Sequence, residues 1–182
     1  MAKNAEPILV TVHVNSALWE YLIGVNGGSD VMAPDYQGEL WVFVKSRLQT
    51  VPSDYRPETP EIKKGIIRIA LPPQRGASAI YNLQLKREIF TNFIYRNYLD
   101  EEAQRQVEGF LMKGFKKTFR DFMTGAVSCN TQQAIKDAIE KFCEVYRIEM
   151  DSISYEMLRK DWYRFRNRDS RGDPCTEVKE NF

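Results

Sequence analysis

Between Ser152 and Arg168 the chain reads SISYEMLRKDWYRFRNR, and its residue types separate by spacing. At about 100° per helical residue, Tyr155, Leu158, Trp162 and Phe165 fall within one arc of roughly 80°. The opposite arc carries Lys160, Tyr163, Arg164 and Asn167, with Arg159, Arg166 and Arg168 at its margins. The acids of the stretch are Glu156 and Asp161. Such a helix would bury one aromatic stripe and offer cations, an amide and a phenol to solvent. Arginine can hold guanine through two hydrogen bonds, asparagine can do the same with adenine, and lysine and tyrosine can hold phosphates. The chemistry within reach is therefore contact with nucleic acid. A solvated charged helix has a similar pattern, so that plainer reading stands beside it.

A second cationic run, Lys113, Lys116, Lys117 and Arg120, lies upstream. It could touch the flanking backbone of a duplex, or be the solvated side of a helix whose other side is phenylalanine. If the two runs merge into one basic strip, nucleic acid is favoured. Cations each paired with an acid favour the plainer reading.

Other chemistry finds little footing. A zinc site usually needs ligand pairs two to four residues apart, but His13 is the single histidine and Cys129, Cys143 and Cys175 are dispersed. One histidine removes most catalytic triads. Gly27-Gly28 lacks the following Lys-Ser/Thr of a phosphate loop. Glu101-Glu102 and Asp137/Glu140 fall on helix starts and solvent faces, where capping and solubility account for them. The expectation is a non-enzymatic protein with no cofactor and no metal.

Of the 182 residues 43% are hydrophobic, enough for one well-buried core with at most a small appendage. The net charge of +1 excludes a bulk polycation, but it is unevenly spread. Residues 1–62 hold four Lys/Arg against eight Asp/Glu, and residues 63–182 hold 22 against 17. A polyanionic partner should meet the second part. The unpaired cysteine spacing and the start Met1-Ala-Lys-Asn, with neither a secretory nor a myristoylation pattern, point to a reducing cytoplasm. No apolar run approaches the roughly 18 residues of a membrane span.

The elements that must position these residues follow from periodicity. ILVTVHV at 8–14 alternates and predicts a strand, with Val10, Val12 and Val14 on one side and His13 on the other. Asn15-Ser16 predicts a cap for a short helix over 17–23. Residues 24–35, with the cluster Asn26 to Asp30, read as an exposed loop. Helical spacing of Leu40, Trp41, Val44, Leu48 and Val51 predicts a helix over 39–50. A second strand, 66–71, stops at Pro72-Pro73. Helices follow at 85–98 and 101–124, the second entered through Leu99-Asp100, striped by Val107, Phe110, Leu111, Phe115, Phe119 and Phe122, and ended by Gly125. Asn130 or Thr131 caps the next, whose apolar positions are Ile135, Ala138, Ile139, Phe142 and Tyr146. After a turn at 147–152 comes the opening stretch, and 169–182 reads as a loose tail.

Two adjoining helices, TQQAIKDAIEKFCEVY and ISYEMLRKDWYRFRNR, resemble the paired helices of helix-turn-helix DNA-binding proteins, and more loosely the small regulators of phages and mobile elements. The resemblance covers residues 131–168. It implies double-stranded DNA binding by the second helix, as a homodimer on a two-fold site. The expected fold is α+β and mainly helical. A small βααβ unit (residues 1–80) would pack on a helical region with the helix-turn-helix-like pair (81–170), followed by a tail (171–182). The residues expected to contact DNA are Arg159, Lys160, Tyr163, Arg164, Arg166, Asn167 and Arg168, with Lys113, Lys116, Lys117 and Arg120 beside them. The competing expectation is a protein–protein assembly module, since exposed Trp, Tyr and Arg also mark protein hot spots.

Overall fold

The alternation at the N-terminus is realised as β1 (Ile8–His13), which pairs antiparallel with β4 (Ile66–Leu71) so that Val10 lies opposite Ile69 and Val12 opposite Ile67. These four side chains are almost wholly buried, which is why the register holds: a one-residue slip would turn all of them to the other face. The computed structural model describes residues 8–35, 37–50, 52, 63–71, 96–127, 131–149 and 151–172. The fold is α+β and mainly helical.

Asn15 caps α1 (Ser16–Val25), its side chain accepting from the Leu18 amide at 3.0 Å. Trp19 on this helix donates its indole N–H to the Ile66 carbonyl at 3.0 Å and so ties α1 to β4. The expected loop at 24–35 contains a short strand instead. β2 (Val31–Met32) joins the free side of β4 in parallel, giving the order β1-β4-β2. Two residues carry no periodicity, and what places them is Asp30. Its buried carboxylate accepts from Nε and Nη2 of Arg68 at 2.8 Å each, and its carbonyl accepts from the Arg68 amide at 2.8 Å. Gly27 and Gly28, at φ +66° and +93°, make the preceding turn that an L side chain would strain.

The helix expected over 39–50 stops early. α2 runs Glu39–Lys45, and β3 (Gln49–Thr50) then pairs antiparallel with β5 (Arg96–Tyr98). Side chains just past the helix end it: Ser46 Oγ and Arg47 Nη1 both donate to the Phe43 carbonyl. Arg47 also lies 3.5 Å from the centre of the Phe43 ring, which stacks on Phe110 at 4.6 Å. Residues 96–98 are thus strand where helix was expected, and 85–95 of that expected helix lie outside the described residues.

Leu99, almost fully buried, and Asp100 lead into α3 (Glu101–Ala126) as their hydrophobic-then-cap order predicts. Asp100 accepts from the Ala103 amide at 2.7 Å and from the Gln49 side chain at 2.7 Å. Those two bonds, the Ala103 amide foremost, hold its carboxyl below the usual value. A depressed carboxylate stabilises the fold above its unfolded pKa, and that contribution is lost as pH falls through the folded value. Thermal melts followed by circular dichroism should therefore show a steeper loss of Tm below about pH 4 for the native chain than for Asp100→Asn. Parallel pH profiles would show that Asp100 carries none of the dependence.

The chain divides into two compact units, residues 1–112 and 113–182, with the division inside α3. In the first unit Ala103, Val107 and Leu111 are buried, while Gln104 and Glu108 accept from the His13 and Asn15 amides. In the second, α3 runs on past Gly125, expected as its stop, to Ala126. α4 (Gln132–Tyr146) is capped by Thr131 and α5 (Ser152–Gly172) by Asp151. Phe142 on α4 is fully buried against Phe115, Phe119 and Phe122 of α3. Residues 169–172, expected in the tail, are helical, and 173–182 lie outside the described residues. None of the described helices is long and apolar enough to cross a membrane.

Candidate nucleic-acid interface

Helix α5 has an inner and an outer face. Ser154, Leu158, Asp161 and Trp162 are buried, and Tyr155 and Phe165 half-buried beside them. α5 lies against α4, whose Ile135, Ile139 and Phe142 are buried, as the facing apolar stripes predict. Between the two helices Arg147 takes the left-handed conformation (φ 55°), and its amide and that of Ile148 close on the Cys143 and Glu144 carbonyls at the end of α4. The Cys143 side chain is buried.

Asp161 is the residue whose role helical spacing alone does not reveal. It lies on the inner side, 8% exposed, where its two oxygens accept from Nε and Nη2 of Arg120 at 2.8 Å each. Lys116 approaches it at 3.7 Å. Arg120 also lies 5.2 Å from the centre of the Phe165 ring. A signal is present all the same: Asp161 sits three residues after Leu158 and one before Trp162, and a carboxylate at the edge of a buried stripe needs a cation.

The upstream run is accordingly divided. Lys116 and Arg120 serve Asp161, and Lys117 pairs with Asp121 one turn along the same helix at 3.2 Å. Lys113 is exposed and forms no ion pair among the described residues. The run does not add four uncommitted cations to the face of α5.

That face keeps its own. Lys160, Arg164 and Asn167 are exposed, and among the described residues Lys160 and Arg164 form no ion pair. Arg159 is held by Glu156 at 3.2 Å, and that bond first, then Tyr163, raises its pKa further. Tyr163, half-buried, has the guanidinium carbon of Arg159 at 5.7 Å and that of Arg166 at 5.3 Å from its ring centre. No protein-family model, curated protein or solved structure matches this chain. Function is therefore read from the side chains themselves. Arg168 belongs to the helix, its side chain outside the described residues. α5 runs on to Gly172, so Arg171 also lies within the helix, its side chain likewise outside the described residues. A helix ending at 168, as the spacing predicts, would leave Arg171 out.

Proposed function

We propose that this protein binds double-stranded DNA without catalysing a reaction, and that the outer face of α5 makes the contact. The observation that carries the reading is the exposed pair Lys160 and Arg164 with Asn167, on a helix where Asp161 is turned inward and neutralised by Arg120 and Glu156 is paired with Arg159. The inner face fixes the helix, so the outer cations stand at fixed intervals: four residues advance about 6 Å along the axis. Lysine and arginine would neutralise phosphates, while Arg164 and Asn167 are of the types that read guanine and adenine edges. The resemblance to helix-turn-helix proteins supports a regulator or accessory protein of a phage or mobile element, acting as a homodimer on a two-fold site.

The test is the triple variant Lys160→Ala, Arg164→Ala, Arg168→Ala in a duplex-binding titration over a salt series. Binding should weaken, and the slope of log K against log salt should flatten by about 0.9 for each phosphate no longer neutralised. An unchanged slope would remove this face from consideration. The pairing of Lys116, Arg120 and Lys117 with acids favours a second reading, a protein–protein assembly module, in which Arg159, Tyr163 and Arg166 would be hot-spot residues.

A further inference from the structure

Helix α3 belongs to both compact units, and the boundary between them, after residue 112, falls near its middle. Its buried positions change hands there: Leu111 is the last in the first unit and Phe115 the first in the second. Gly109 and Gly114 stand on either side of that boundary, and both are exposed. Packing requires neither, since a Cβ built on each meets nothing within 4 Å. Glycine is the weakest helix former after proline, because it loses the most backbone freedom on being fixed. Two glycines in the interior of one helix therefore weaken it where solvent-facing alanines would not. A third feature acts on the same stretch. Thr118 Oγ1 donates to the Gly114 carbonyl at 3.2 Å. In an α-helix that carbonyl also serves the Thr118 amide, and such back-bonding bends and slightly destabilises a helix.

We infer that α3 is a hinge at residues 109–118: its main-chain bonds open there more readily than on either side, and the unit that carries α5 reorients about that point. Local opening is governed by what it must break. Val107 and Leu111 anchor the helix in the first unit, and Phe115, Phe119 and Met123 anchor it in the second. Residues 112–114 between those anchors have no buried side chain. What holds this turn is its main-chain hydrogen bonding, which water can replace on the solvent side. Few residues need change their dihedral angles for such a motion, as is usual for hinges within or at the ends of regular elements. The motion is independent of what α5 binds.

The test is hydrogen–deuterium exchange of the full chain, read over 113–118 and compared with 105–110 and 119–123 of the same helix. Exchange over 113–118 should be at least about tenfold faster than in both flanks. Gly109→Ala and Gly114→Ala each add a methyl group in open space, so the fold is kept. Each should slow exchange over 113–118 by about fivefold, the difference in helix propensity, and the double variant by about twentyfold. Thr124 and Gly125 repeat the combination at the end of α3, away from the boundary, with Thr124 Oγ1 bonded to the Arg120 carbonyl at 2.8 Å. Gly125→Ala is therefore the control, and should leave exchange over 113–118 within about twofold. Residual dipolar couplings separate a hinge from a turn that is merely weak. The native chain should give unequal alignment strengths for amides of the first and second units, and the double variant should bring them closer together. Even protection along α3, one common alignment in the native chain, or a slowing by Gly125→Ala equal to that of the double variant would each overturn the hinge.

Discussion

Phe142→Ala is expected to be the most destabilising single change in residues 113–182, costing about 3–5 kcal/mol. The ring is fully buried and has four aromatic neighbours, with centre-to-centre distances of 5.0 Å to Phe119, 5.4 Å to Phe122, 6.0 Å to Phe115 and 4.6 Å to Tyr146. Two of those pairs, with Phe119 and Phe122, are edge-on, the arrangement aromatic rings favour, worth about 0.5–1.5 kcal/mol each beyond burial. Truncation would leave a cavity walled by α3, whose large rings cannot all turn to fill it. Urea denaturation followed by helical circular dichroism reads the destabilisation directly. Phe142→Leu, which keeps most of the volume, should recover more than half of it. A cost below about 1.5 kcal/mol for the alanine variant would show that this cluster does not hold α4 on α3.

Asp161→Ala should cost about 2–3 kcal/mol, less than a fully buried ion pair because the Arg120 side chain remains 30% exposed. Arg120 would keep its place over Phe165 but lose both charge-assisted hydrogen bonds, and Lys116 would lose the same carboxylate. The informative control is the residue next to Arg120 on α3 itself. Asp121 pairs with Lys117 where both side chains are well exposed (67% and 81%), so Asp121→Ala should cost less than about 0.5 kcal/mol. Replacing Arg120 and Asp161 together by Met and Leu should recover much of the stability, since apolar residues of similar volume can replace a buried pair. Equal effects of the two aspartate changes in denaturant titrations would contradict the assignment of Asp161 as a core residue.

Elements with several periods were legible in the sequence. Six alternating residues fix each of β1 and β4, and α3, α4 and α5 repeat their apolar positions over about three turns or more. Caps were legible for the same reason of locality: Asn15, Asp100 and Thr131 each bond an amide three residues on. What depends on distant partners was not. β2 and β3 have two residues each, and β2 is placed by an Asp30–Arg68 pair 38 residues apart. α2 ends where the Ser46 and Arg47 side chains turn back to the Phe43 carbonyl, although Leu48 continues the helical spacing.

The candidate site shows the same division. The outer residues of α5 follow from helical geometry, whereas the commitment of Arg120 to Asp161 spans 41 residues and could not be read from spacing. The division of the chain at residue 112 leaves no compositional mark, because it falls within one continuous amphipathic helix.

The central claim, that the outer face of α5 binds duplex DNA, is tested most directly by fluorescence polarisation of the intact chain with labelled duplex. The titration would be repeated at salt concentrations from about 50 to 200 mM. The account predicts affinity that falls steeply with salt, with a slope of about −3 for the cations at 160, 164 and 168. Absence of binding at about 50 mM, where phosphate attraction is strongest, would contradict it.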